Sequence, residues 1–415
     1  MKEVILNILK VVLKRLARLT IWRYRPGIIG ITGSVGKTSA KLAIAAVLGS
    51  ERQIRYSAGN FNNELGLPLT VISSKTKIEG FFFWPKVILS AIFQIITPSS
   101  WQKNKYPELL ILEYGADQPG DIKYLLSIAR PNISVITAIG NIPVHVEFYS
   151  GPEELAREKS RLIEYLPAAG FAILNFDDET IFNLKDRTRA HLMTFGFSKE
   201  SDVRVTSFET KSNGDRPRGI GFRLEYGGSF VPVKIDGIFG KTQGYAAAAA
   251  AAVGLAFGMN LVKISEALHF YKPAPSRMEL IPGIKYSYII NDSYNASPLS
   301  THAALDTLLD LPAKRKIAVL GDMTEIGKYT PEAHEEIGRV AANVVDLLIT
   351  IGPRAKFIAE GARENGMKNK NILSFDTTEE SLKPIQDLLK KGDLILVKAS
   401  HIMGLDKVVE EIRAY

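Results

Sequence analysis

With 415 residues, 46% of them hydrophobic and 23% charged, the chain is too long for one ordinary core and has the make-up of a folded protein of two or three domains. It has no cysteine, which excludes disulfides and thiolate metal sites and agrees with a cytoplasmic location. A formal net charge of +8 suits anionic partners such as nucleotides, phosphorylated sugars or acidic lipid; no zinc-finger spacing or aromatic RNA-binding signature occurs, so no nucleic acid is expected.

The first stretch, "MKEVILNILKVVLKRLARLTIWRYRP", predicts an amphipathic basic helix over residues 1–27. Glu3, Asn7, Lys10, Lys14 and Arg18 recur at helical spacing and form one polar stripe on an otherwise apolar rod. Its apolar runs fall far short of the roughly 18 residues that span a bilayer, and no small-residue cleavage site follows. Two readings stand: a helix packed on the next domain with its basic face in water, or an interfacial membrane helix. Residues 80–101, "GFFFWPKVILSAIFQIITPSSW", are likewise apolar, broken by Pro85 and Lys86. They read as a helix capping a sheet, or as a membrane-facing patch beside residues 1–26.

From Ile28 strands and helices alternate: "GIIGIT", a helix from Lys37, then the strands "ELLILEYGA" (108–116) and "ISVITAIG" (133–140), an amphipathic helix over 152–166 and "GFAILNFDD". That order argues for a parallel α/β sheet. Residues 200–236 alternate apolar and polar between glycine turns, as an antiparallel edge does. The alanine run at 245–258 predicts a buried helix. Prolines in "YKPAPSRM" (271–278) suggest a boundary, with a second open α/β unit beyond it, giving a central unit over 28–270 and a C-terminal one over 271–415.

The segment "GITGSVGKT" (30–38) reads as a phosphate-binding loop between strand and helix. Gly33 and Gly36 allow the tight return, Ser34 and Val35 bring amides inward, Lys37 faces the terminal phosphates and the Thr38 hydroxyl can ligate Mg²⁺. Ile31 stands where the strict pattern asks for glycine. Glu113 ends a buried strand, where open α/β sheets bind ligands, and His145 follows the next strand on the same edge. Lys159, beside Glu158 and Arg161, reads by itself as a solvated surface lysine.

The order of "GITGSVGKT", "GNFNNELGLPLT" (59–70), "LEYGADQPGDI" (112–122), "NIPVHVEFYSGPEELAREK" (141–159), "SRMELI" (276–281), "NDSYNASP" (291–298), "VLGDMTEIG" (319–327) and "LVKASHIMGLDKVV" (396–409) resembles the Mur ligase family of ATP-dependent amide-bond ligases. The resemblance covers roughly residues 28–415. It implies a P-loop central domain with a parallel sheet and a C-terminal Rossmann-like α/β domain. The branch it most resembles joins D-Ala-D-Ala to a UDP-N-acetylmuramoyl tripeptide, a peptidoglycan precursor, through an acyl phosphate, with ATP and two Mg²⁺ ions and as a monomer. Carried over by position, Lys37 neutralises the transferring phosphate; Thr38, Glu113, His145 and a carbamylated Lys159 hold metal; Arg277, Asp292 and Asn295 reach the nucleotide. Gln243 falls on the adenine side, in a Thr242-Gln243 pair where the family usually shows His-Asn. Asn60, Asn62, Asn63, Lys398 and Ser400 fall on the substrate side. Asn291 and His401 replace a common aspartate and arginine, and only about 27 residues precede the loop strand, where the family carries a UDP-sugar domain. The acceptor therefore has an alternative, a lipid-linked or other non-UDP peptide; a non-catalytic scaffold is the third reading.

Overall fold

Continuous apolar strands need cover on both faces, and the chain meets that requirement twice. In the computed structural model all residues are described except 1, 58, 60, 75–77, 79, 81, 98–104, 214–215 and 415; Asn60 therefore lies outside the described residues. The first sheet contains β1 (Gly27–Thr32), β2 (Ile54–Tyr56), β3 (Leu109–Glu113), β4 (Ile133–Ile136), β5 (Phe171–Asn175), β6 (His191–Gly196), β7 (Val203–Asn213), β8 (Arg216–Tyr226) and β9 (Ser229–Asp236). Their order is β2-β3-β1-β4-β5-β6-β7-β8-β9, parallel as far as β7 and antiparallel from β7 to β9. Residues 203–236 thus extend the parallel sheet as an antiparallel edge.

One face is covered by α2 (Lys37–Gly49), α8 (Lys241–Ala256) and α9 (Leu261–Leu268). Within α8 the run Ala246 to Ala252 is buried throughout. Small side chains let α8 approach α2 closely: a Cβ on Gly254 would lie 2.9 Å from Val47 Cγ1 and 3.0 Å from Ile264 Cδ1. The other face carries α1 (Lys2–Tyr24), α3 (Gly66–Ile72), α4 (Phe83–Ile96), α5 (Asp121–Leu126) and α6 (Pro152–Glu164), with the short α7 (Glu179–Phe182) after β5. Leu13, Leu16 and Ala17 of α1 pack with Phe83, Val87 and Ala91 of α4 over Leu110 and Leu112 of β3.

One expectation is corrected. The strand expected over 133–140 ends at Ile136, because the Ala138 carbonyl turns away to accept the Ser34 and Val35 amides of the loop. The outward face of α1 carries Val4, Ile8, Val11 and Trp22 with Arg15 and Arg18 among them, while Lys10 and Lys14 lie on its flank.

The second sheet holds β10 (Glu279–Gly283), β11 (Ser287–Asn291), β12 (Arg315–Gly321), β13 (Leu347–Ile351), β14 (Ile372–Phe375) and β15 (Asp393–Lys398) in the order β10-β11-β15-β12-β13-β14. Only the β10 edge pair is antiparallel. Helices α10 (Pro298–Asp310), α11 (Thr330–Val344), α12 (Ala355–Glu364), α13 (Thr378–Leu388) and α14 (Asp406–Ile412) cover its faces.

His334 of α11 fastens the loop after β12. The Met323 N–H donates to its Nε2 (3.0 Å) and its Nδ1 donates to the Thr330 carbonyl (2.7 Å), so the ring is neutral in the fold. Burial holds its pKa down, from 6.5 to about 4. Between these values the unfolded chain binds a proton that the folded chain refuses, so stability falls as pH drops through this window. Urea unfolding at pH 7 and pH 4 is expected to show a loss from this group on the order of 3 kcal/mol. The His334→Gln variant should lose correspondingly less over the same interval.

Candidate active site

Both sheets point their strand ends into one cleft. β1 ends at Thr32, and the chain returns through residues 33–36 before α2 begins. Gly33 (φ +145°) and Gly36 (φ +87°) hold conformations closed to most side chains, and a Cβ on Gly33 would lie 2.2 Å from Thr137 Oγ1. The Ser34 and Val35 amides donate to Ala138 O (2.6 and 3.1 Å), and the Thr137 hydroxyl donates to Val35 O (2.6 Å). No side chain caps the start of α2, which leaves its first amides free for an anion. The buried Ser34 Oγ has no hydrogen-bond partner among the described residues.

Two lysines meet on this loop. Lys37 Nζ donates to Gly33 O (2.7 Å) and Ser34 O (3.4 Å), and Lys159 Nζ, arriving from α6, donates to Gly33 O at 3.2 Å. Burial lowers the pKa of Lys37, with Arg277 and Lys41 adding to the effect and Glu113 and Asp117 opposing it. Burial, then the charge of Lys37, pushes Lys159 down to about 7, against Asp117, Glu158 and Asp121. The surface reading of Lys159 is therefore corrected: the residue is 1% exposed. Its place on α6 explains this, since Leu155, Leu162 and Ile163 flank it on the buried stripe.

Glu113, at the end of β3, is buried beside the loop. Its Oε1 accepts from the Thr38 hydroxyl (3.4 Å) and its Oε2 from Lys41 Nζ (2.8 Å). Lys41 also donates to Gly59 O (2.8 Å) and Ser57 Oγ (3.2 Å). Sequence reasoning missed Lys41, although it lies one helical turn after Lys37 on the same face. His145 takes a left-handed conformation (φ +71°) between two carboxylates: its Nε2 lies 3.3 Å from Asp117 Oδ1, and its Nδ1 lies 3.1 Å from Glu325 Oε2 of the second sheet's loop. Glu325 is also left-handed (φ +64°), and the nearness of His145 lowers its pKa against the effect of burial. Among the described residues no group of three or more His, Cys, Asp or Glu is arranged to hold a metal ion. The Thr38–Glu113 oxygen pair beside a phosphate loop does fit Mg²⁺, which binds through one or two carboxylates plus substrate phosphates.

From the second sheet, the Arg277 guanidinium sits 4.3 Å from the Tyr294 ring centroid. Asp292 accepts from Lys398 Nζ (2.5 Å) and from the Met278 amide (3.1 Å), and Lys398 also donates to Asn295 O (2.9 Å). Lys398, expected on the substrate side, and Asp292 and Asn295, expected at the nucleotide, thus form one cluster. A cavity of 690 Å³ brings Ser34, Val35, Gly36, Lys37, Thr38, Asn62, Glu113, His145, Gln243, Arg277, Asp292, Asn295 and Lys398 together. Gln243 is buried at its wall, accepting from the Tyr271 hydroxyl (2.7 Å). Asn63 caps α3 through the Leu65 and Gly66 amides, and Ser400 accepts from the Thr324 amide; neither lines this cavity, and nor does Lys159.

A second cavity of 580 Å³ shares Val35, Gly36, Thr242 and Ala303 with the first and extends past Asn141, Asn175, Asp177, Asp178 and Tyr245 to His302 and Asp306 of α10. Asp178 accepts from the Ile139 and Gly140 amides (2.7 and 3.0 Å), and Tyr245 donates to Asp177 (2.8 Å). These acids were missed, although "NFDD" closes a strand at the ligand-binding edge. Arg354 was missed too; it lines the first cavity with a buried Nη1 that has no hydrogen-bond partner among the described residues.

A phosphate loop on a parallel sheet, a carboxylate on the neighbouring strand and a second α/β sheet supplying Arg277 and Asp292 across the cleft define a two-domain α/β protein of the P-loop class. Family models agree: the Mur ligase middle domain matches residues 95–254, and the Mur ligase glutamate ligase domain matches residues 276–401. The chain is 31% identical over 402 residues to the UDP-N-acetylmuramoyl-tripeptide–D-alanyl-D-alanine ligase of Bacillus subtilis (strain 168), covering 96% of this chain and 79% of that one. It is 30% identical over 407 residues to the ligase of the same name from Mycobacterium tuberculosis (strain ATCC 25618 / H37Rv), covering 93% and 73%. The crystal structure of MurF ligase from Thermotoga maritima in complex with ADP superimposes with a TM-score of 0.78 at 27% identity, over 97% of this chain and 83% of that one. The chain belongs to the Mur ligase family, and these relatives are of its MurF type.

The Lys41–Glu113 pair offers a stability test. Lys41→Met leaves a buried carboxylate unpaired and is expected to cost about 3–5 kcal/mol in urea unfolding. Adding Glu113→Gln should recover a large part of that loss; a double variant no more stable than Lys41→Met would refute the pairing.

Proposed function

We propose that the chain is an ATP-dependent, ADP-forming ligase that adds D-Ala-D-Ala to a UDP-N-acetylmuramoyl tripeptide in the cytoplasm. The observation that carries the reading is the single cavity in which Lys37, Thr38, Glu113 and His145 of one sheet face Arg277, Asp292 and Asn295 of the other. The names of the relatives support the choice of substrates. One chain contributes every residue named, so the reaction requires no second copy.

In this reading the phosphates of ATP lie on the loop of residues 33–38 and the adenosine in the 580 Å³ cavity. The acceptor carboxylate attacks the γ-phosphorus, the bond to the bridging oxygen breaks, and ADP leaves. The amine of D-Ala-D-Ala then attacks the acyl carbon, the bond to phosphate breaks, and the nitrogen gives up a proton. Negative charge builds on oxygen in both steps, and Lys37 and Arg277 offset it. Closure of the second sheet's residues over the cleft excludes water from the acyl phosphate. Burial and then Lys37 bring the pKa of Lys159 down to about 7, so a substantial share of its amine is neutral, the form that takes up carbon dioxide; the N–C bond forms, a proton leaves, and the amine becomes a carbamate. Thr38, Glu113, His145 and that carbamate are the groups that would hold Mg²⁺, which supplies charge neutralisation to the transferring phosphoryl group.

A second reading keeps the chemistry and changes the acceptor to a lipid-linked or UDP-free peptide. It is favoured by a groove of 370 Å³ lined by Asn62 and Asp117 of the site and reaching Lys10 of α1.

Phosphate release with D-Ala-D-Ala separates the two. Release that requires the UDP-linked tripeptide, with pentapeptide product by mass, supports the first reading; release with the UDP-free acceptor alone supports the second. Lys37→Ala should abolish turnover with an unchanged circular dichroism spectrum, and undiminished turnover would sink the loop assignment. Lys159→Ala is expected to be inactive and to regain activity with added short carboxylates; full activity without them would remove Lys159 from the mechanism.

A further inference from the structure

The outer faces of α1 and α4 are apolar where a surface helix is normally polar. On α1 the residues opposite the buried Leu13, Ala17 and Thr20 are Val4, Ile8, Val11, Leu19 and Trp22, and Trp22 is 71% exposed. α4 repeats the arrangement: Phe83, Val87 and Ala91 are buried, while Leu89, Phe93 and Ile96 face outward, the last two 71% and 75% exposed. The two helices lie side by side over one core, tied by the Tyr24 hydroxyl to Gln94 O (2.6 Å) and by Arg23 to Thr97 O (3.2 Å). Their outward stripes therefore form one continuous patch of a kind that monomers rarely leave in water.

The charges set into this patch say what covers it. Arg15 and Arg18 stand within the α1 stripe, exposed and without an ion-pair partner among the described residues, and Lys86 stands within the α4 stripe. Lys10 and Lys14 border it, and Glu3 is the only acidic residue of α1. Apolar side chains interleaved with cations suit the boundary between acyl chains and anionic headgroups, where each cation adds to the attraction. A second copy on the same patch would set Arg15 and Arg18 against their own kind across a two-fold axis. Among the described residues no helix is long and apolar enough to cross a membrane, so the contact is one of lying on the surface.

We propose that α1 and α4 together form a docking surface for an anionic phospholipid bilayer, with Trp22, Phe93 and Ile96 entering the interface and Arg15, Arg18 and Lys86 meeting headgroup phosphates. The surface is separate from the cleft, so the proposal stands or falls independently of the substrate assignment.

The test is sedimentation of the full chain with vesicles of phosphatidylcholine containing about 30 mol% phosphatidylglycerol, against phosphatidylcholine alone, at ~0.15 M salt. Binding to the anionic vesicles is expected, with Trp22→Ser/Phe93→Ser and Arg15→Glu/Arg18→Glu each lowering the partition coefficient about tenfold or more. All four substituted positions are on the surface, so melting temperature should hold; nucleotide turnover should hold as well. No binding by the parent chain, equal binding to both vesicle types, or partition unchanged in both variants would overturn the proposal. So would a concentration-dependent dimer in light scattering that the same substitutions abolish, which would assign the patch to a second copy.

Discussion

Two ammonium groups sharing one carbonyl oxygen set the terms for this active site. Lys37 and Lys159 reach Gly33 O from helices on opposite faces of the sheet, so the loop between them must be held by groups other than these two lysines. The Ala138 carbonyl and the Thr137 hydroxyl do this, and they force β4 to end early. Burial first, and then the charge of Lys37 beside it, lowers the pKa of Lys159 to about 7. Two cations converging on one loop carbonyl make a place suited to a polyanion.

That local surplus of positive charge accounts for the contacts around it. Glu113 cannot serve the loop as a bare buried carboxylate, and Lys41 holds it from one turn along α2. Asp292 is held in the same way by Lys398 on the second sheet. Each sheet thus presents an acid already neutralised by its own lysine, and the cleft between them keeps Lys37, Arg277 and Arg354 for the ligand. His145 and Glu325 meet across the cleft, and both have left-handed backbone there. A histidine with a carboxylate on either side lets the two halves meet without closing the phosphate path.

The loop was legible in the sequence because its requirements are local: glycine where φ is positive, lysine and threonine at the helix start. Glu113 was legible because a strand end in a parallel sheet is a predictable place. Lys159 was not, since a lysine between Glu158 and Arg161 looks solvated until α6 is known to press its Leu155–Leu162 stripe onto the sheet. The register was present in the sequence; the depth of burial was a tertiary fact. The pairing of Asp292 with Lys398, 106 residues apart, had no local signal at all. Asp177 and Asp178 had one, an acidic pair at a strand end, and resembled an ordinary turn.

The N-terminal helix shows the same limit from the other side. A polar stripe on an apolar helix is naturally read as its solvent face, because one apolar face usually suffices for packing. α1 has apolar residues in two opposite directions, with Lys10 and Lys14 on the flank between them and Arg15 and Arg18 among the outward ones. Leu13, Leu16 and Ala17 already fill the contact with α4 and the sheet, so Val4, Ile8 and Trp22 add nothing to the core. Left in water they are a liability to solubility, and arginines among them would not relieve it by lateral association. Residues with no role in folding and a cost in water, with Arg15 and Arg18 among them, are the observation on which the proposed bilayer contact rests.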